Sequence, residues 1–168
     1  MLGLIILIIS VYLDGLLSLF LPYIPGQLSI FTPMLTIVSL LIIYPLYRKK
    51  EKKYFITLFI TGIIYDLLYT NLLFYNGLVF ILFGFIIKFI YKNLDVSSIK
   101  LIFYEILIIV AYELLISLFI LIFNLVPISI NEIVYKITHS LLLNLIYSEF
   151  LYLVIKIIPK RYKRISIN

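Results

Sequence analysis

The sequence predicts an all-α integral membrane protein, a bundle of six transmembrane helices formed by a single polytopic domain over residues 1–168. Three observations carry this reading. The chain of 168 residues is 64% hydrophobic and only 13% charged, where a soluble domain has roughly 45–50% apolar and about 25% charged residues. The apolar residues fall in runs long enough to cross a hydrocarbon core of about 30 Å as helices. The loops between those runs alternate between basic and neutral. A mean hydropathy of +1.20 leaves no room for a water-facing module.

Each span can be placed in order. The first covers about 2–21 and is interrupted by Asp14. No basic segment precedes it, so a cleaved signal peptide is not expected. A neutral loop, 21–27, leads into the second span at 28–47, with Pro33 near its start. The cluster Arg48-Lys49-Lys50-Glu51-Lys52-Lys53 then precedes the third span, 54–72. A short neutral turn at Thr70-Asn71 joins it to the fourth, 74–91, which predicts an antiparallel hairpin. Lys88, Lys92 and Lys100 flank the next loop, before the fifth span at 101–126. The segment 131–137 is expected to lie on the outer interface ahead of the sixth span, 138–158. The chain closes on a basic tail with Lys160, Arg161, Lys163 and Arg164. Positive charge stays on the cytoplasmic side of membranes, so both termini and the two basic loops are expected inside. Lipid offers the backbone no hydrogen bonds, so the spans must be helical.

Composition also excludes functions. There is no cysteine, so disulfide and thiolate chemistry are absent. A single histidine, His139, rules out multi-histidine metal sites. The net charge of +6 is spread over loop clusters in the positive-inside pattern and does not indicate nucleic acid. The sequence contains no H-E-x-x-H, no G-x-S-x-G and no P-loop. Asp14-Gly15 opens like the alcohol phosphatidyltransferase motif, but Leu16-Leu17 does not continue it. No enzyme activity, cofactor or metal is expected.

Polar residues inside the spans are informative because an ionisable group there costs roughly 2.5–3.5 kcal/mol on insertion scales and usually faces protein. Asp14, Asp66, Glu105, Glu113 and Glu149 are such acids, and no base lies at matching depth. On the third span Gly62, Tyr65, Asp66 and Tyr69 share one face, and Gly62 admits a close neighbouring helix. On the fifth span Glu113, Ser117 and Asn124 form a stripe. On the sixth, Ser140, Asn144, Tyr147 and Ser148 form another, with Glu149 beside it. Buried polar roles are expected for Asp14, Glu113, Ser117, Asn124, Asn144 and Glu149. The faces of spans three, five and six are expected to converge.

The third span reads Gly62-Ile63-Ile64-Tyr65-Asp66-Leu67-Leu68, and a short turn follows into a span beginning Asn76-Gly77. A glycine, three residues and Asp-Leu before such a turn resembles the signature of the rod shape-determining protein MreD family. Pro33, the basic loop ahead of the signature span and the six-span layout agree with it. The resemblance implies a non-enzymatic scaffold of the bacterial cell-elongation complex in the cytoplasmic membrane. It implies as partners MreC, RodA, the class B penicillin-binding protein and the MreB assembly. Pro33, Gly62, Asp66 and Gly77 are then helix-packing or partner contacts. Arg48, Lys49, Lys50, Lys52 and Lys53 and the basic tail would meet anionic lipids. The family's fold is similar to the S components of energy-coupling factor transporters. The alternative function is therefore a substrate-binding subunit of a vitamin or ion transporter, with Glu113 and Glu149 on the ligand. The lack of alanine in residues 2–21 counts against it, since S components carry an alanine-spaced docking face there.

Overall fold

The computed structural model describes residues 2–20, 33–70, 72–94, 98–124 and 129–157. Among them it contains six helices and no strand: α1 Leu2–Phe20, α2 Leu35–Tyr47, α3 Glu51–Tyr69, α4 Tyr75–Asn93, α5 Ser98–Ile122 and α6 Ile130–Ile157. The neutral loop 21–27, the first residues expected in the second span, Asn71 and the tail with Lys160, Arg161, Lys163 and Arg164 lie outside the described residues.

Helix α2 is the axis of the bundle. Every residue from Leu35 to Tyr44 is buried, and α2 packs against all five other helices. A helix apolar all round and buried all round has no lipid face to present. Its neighbours therefore form the lipid-facing shell, with Ile5, Ile8, Ile60, Leu67, Phe89 and Leu118 among their exposed side chains. Helices α3 and α4 make the most extensive pairing, as the short turn between them predicts.

Among the described residues four helices are long and apolar enough to cross a membrane: Leu2–Leu19, Tyr75–Asn93, Lys100–Ile122 and Ile130–Lys156. The other two differ from the expectation of six full spans. The 13 residues of α2 reach only about 20 Å at 1.5 Å per residue. Helix α3 has 19 residues but carries Glu51, Lys52 and Lys53 in its first turn and Asp66 near its end.

Helix α6 also departs from expectation. Residues 131–137 do not form a separate interfacial segment but are the opening turns of α6. The reason is a capping box. The Ser129 Oγ accepts from the Glu132 amide at 3.3 Å, and the Glu132 carboxylate accepts from the Ser129 amide at 3.2 Å.

Antiparallel packing sorts the charges. Thr36 meets Asp14, Gly77 meets Gly62, Lys88 pairs with Glu51 at 2.6 Å, and Ser148 meets Glu105. One end of the bundle therefore gathers Arg48, Lys49, Lys50, Lys52, Lys53, Lys92, Lys100 and Lys156, all exposed. Lys88 lies at the same end. Of the described lysines and arginines only Lys136 belongs to the opposite end.

Candidate functional site

A helix that starts inside a bundle has amide groups that water cannot reach, and each must find an acceptor in the protein. Helix α2 starts this way. Its N-cap residue, Met34, offers no side-chain cap. Two other helices supply the acceptors. Asp14 of α1 accepts from the amides of Leu35 at 2.7 Å and Thr36 at 3.0 Å, and from the Thr36 hydroxyl at 2.6 Å. Asn144 of α6 accepts from the Met34 amide at 2.8 Å and donates to the Ser140 carbonyl at 2.6 Å. The positive end of the α2 dipole also favours a carboxylate there. Pro33, half-buried, stands just before this capped turn.

Below that level, Ser10 of α1 bonds Ser39 of α2 at 2.6 Å and Tyr147 of α6 at 2.7 Å. Asp14, Asn144 and Ser10 thus tie α1 and α6 to the central helix. Substituting Asp14 by Asn is expected to cost about 1–2 kcal/mol, because one amide oxygen cannot serve three donors. Thermal unfolding in detergent measures this.

Helix α4 starts under the same constraint and finds the same kind of answer. The Asp66 carboxylate accepts from the Asn76 amide at 2.9 Å, the Asn76 side-chain amide at 2.8 Å and the Thr70 hydroxyl at 2.9 Å. Asn76 in turn accepts from the Tyr112 hydroxyl of α5 at 2.9 Å. The chain α3–α4–α5 is therefore joined by one buried network, and both Asp66 and Asn76 are buried.

The glycines make that approach possible. A Cβ on Gly62 would stand 2.5 Å from the Cα and N of Gly77. The first turn of α4 therefore lies directly on the backbone of α3. A Cβ on Gly77 would in turn meet the Phe59 ring at 3.2 Å. The turn itself needs Phe74 in the left-handed region, φ 68°, where its ring stacks on Phe59. Gly62 and Asp66 thus act one helical turn apart: the first lets α4 approach, and the second caps it. Further along, Tyr69 donates to the Val11 carbonyl of α1 at 2.7 Å and packs on Gly15.

The match of the family model described as rod shape-determining protein MreD to residues 1–161 decides the family. The chain belongs to the MreD family. No curated protein and no solved structure matches it. Membership gives a role in rod shape determination. With four helices able to cross a bilayer, it also makes this a multi-pass membrane protein. Gly62 and Asp66, the residues on which the sequence resembles that family, form in this chain the knuckle between α3 and α4.

Several expected site residues sit elsewhere than the spacing suggests. Asn124 is exposed, not buried. It lies past the end of α5 with φ 49°, a left-handed position that asparagine tolerates. Glu149 is half-buried. Glu113, Ser117 and Asn144 are buried. The hydrogen bonds of these faces go to different neighbours, although α5 and α6 pack directly on each other. The α3 face turns to α4 and α1, while the α6 face turns to α2, α1 and, through Ser148, Glu105 of α5 at 2.6 Å. Asn76, Tyr112, Thr36, Ser39 and Ser10 are network members that sequence reasoning missed. Ser10 lies one turn from Asp14, and Thr36 and Ser39 interrupt an apolar run, so each carried a signal. Among the described residues no group of three His, Cys, Asp or Glu is placed to hold a metal ion.

Proposed function

We propose that this chain is a non-enzymatic scaffold of the bacterial cell-elongation complex, set in the cytoplasmic membrane with its basic end inside. The observation that carries this reading is how the interior polar groups are used. Asp14, Asp66 and Asn144 all accept from backbone amides at helix starts. Such bonds fix helix positions, and a rigid bundle is what a scaffold needs. The exposed residues Arg48, Lys49, Lys50, Lys52 and Lys53 line one end. Each contributes about 1 kcal/mol near an anionic leaflet. They and the basic tail orient the protein with both termini in the cytoplasm.

In this role the chain holds MreC beside RodA and the class B penicillin-binding protein, and through them the MreB assembly. Co-purification tests it. Full-length protein extracted in mild detergent from a rod-shaped bacterium is expected to retain MreC. Loss of MreC at matched expression, with the protein monodisperse, contradicts the scaffold reading.

A further inference from the structure

The outer face of α5 carries a groove that no other helix lines. Lys100, Phe103, Leu107, Val110 and Leu114 follow one another at steps of three and four residues, so they share one face of the helix. Leu101, Glu105, Ile108 and Tyr112 lie on the opposite side and are buried. Phe103, Ile106, Leu107, Val110, Ala111 and Leu114 line a groove of about 360 Å³. All six belong to α5 and none is polar. The single methyl of Ala111 leaves the hollow between its longer neighbours. The groove ends at Leu114, because Ser117, the next step along the face, is buried.

Depth, chemistry and charge together choose the occupant. Phe103 to Leu114 spans about 16 Å at 1.5 Å per residue, roughly half of a 30 Å hydrocarbon core. The groove therefore belongs to one leaflet. Since α5 starts at the basic end, it is the leaflet on that side. A wholly apolar hollow one leaflet deep suits an acyl chain. Lys100 stands one turn before Phe103, at the mouth of the groove. It is exposed and has no ion-pair partner among the described residues. A cation at that height complements a lipid phosphate. A second copy fits less well, since a two-fold pair would set Lys100 against Lys100. A partner helix would need a seat across the whole bilayer, and this groove stops half-way.

We propose that the groove seats one acyl chain of an anionic phospholipid from the leaflet at the basic end, with the lipid phosphate on the Lys100 ammonium. The site goes beyond the scaffold reading and does not depend on it.

Lipid quenching of fluorescence tests it. The chain has no tryptophan, so Phe103→Trp places a single fluorophore at the groove mouth. The full-length variant is reconstituted in phosphatidylcholine vesicles containing brominated phosphatidylglycerol or, separately, brominated phosphatidylcholine. Quenching is expected to give an association constant about fivefold higher for phosphatidylglycerol. Ile8→Trp is the reference, exposed on α1, a helix without a basic residue. Its ratio is expected near one. Adding Lys100→Gln to Phe103→Trp removes the charge, and adding Ala111→Phe fills the groove. Each is expected to return the ratio to near one. The proposal is overturned if position 103 shows no preference, or if the preference survives Lys100→Gln. Survival through Ala111→Phe also overturns it, since Lys100 would then be a surface charge without a groove. Weak quenching at position 103 by both lipids overturns it as well, because protein would then cover the face.

Discussion

Replacing Asp66 by alanine is expected to lower stability by roughly 3–5 kcal/mol, against about 1–2 kcal/mol for Glu105→Ala. The two acids are equally buried, so burial does not separate them. Their partners do. Without Asp66, the Asn76 amide and the Asn76 side chain lose an acceptor inside the bundle, while the Thr70 hydroxyl keeps the Asp66 and Leu72 carbonyls at 3.3 Å. No other described carboxylate bonds the Asn76 amide, and the start of α4 is left uncapped. Glu105 by contrast meets one side chain, Ser148, whose hydroxyl also reaches the Leu145 carbonyl at 2.8 Å. Ser148 stays bonded when Glu105 is gone. Melting in detergent separates the variants, and equal losses would show that capping the α4 start carries no special weight.

Gly62→Val is the second large effect. Overpacking usually costs about 1–3 kcal/mol because a flexible side chain can move aside. Here the obstruction is backbone. A Cβ at Gly62 lies 2.5 Å from Gly77 Cα and 2.6 Å from the Asn76 carbonyl carbon. Relief requires α4 to withdraw from α3, which also pulls the Asn76 amide off Asp66. The two costs add, and the expected loss exceeds about 3 kcal/mol. Gly84→Ala provides the comparison on the same pair of helices. Its Cβ would meet only side-chain atoms of Leu58 and Phe55, at 2.5 and 3.0 Å. It is expected to cost less, as measured by the fraction of monodisperse protein after extraction.

Both residues were legible because helical spacing puts Gly62 and Asp66 on one face, one turn apart. What they face was not legible, since hydropathy does not name a neighbour. The helix count followed from apolar runs and alternating loop charge, which depend on sequence alone. The start of α2 did not, because its caps come from Asp14 and Asn144, 21 and 110 residues away from their amide partners. An apolar run reads the same whether lipid or protein surrounds it, so the central place of α2 was hidden too. The start of α6 was readable in Ser129 and Glu132, a local pair with the spacing of a capping box. Asn124 was misplaced because helical spacing was extended past the residue where α5 stops. Local signals, in short, survived folding, and contacts between distant helices had to be seen.

We propose that the Gly62–Asp66 pair builds the bundle from within and is not itself a partner-binding surface. Measuring folded protein and cell shape together tests it most directly. In rod-shaped cells depleted of their own MreD-family protein, the wild-type chain is expected to restore the ratio of cell length to width. Asp66→Ala and Gly62→Val are expected to fail in proportion to the folded protein lost from the membrane. Rounded cells containing either variant at wild-type stability and abundance would contradict the claim and make the signature a contact for another protein.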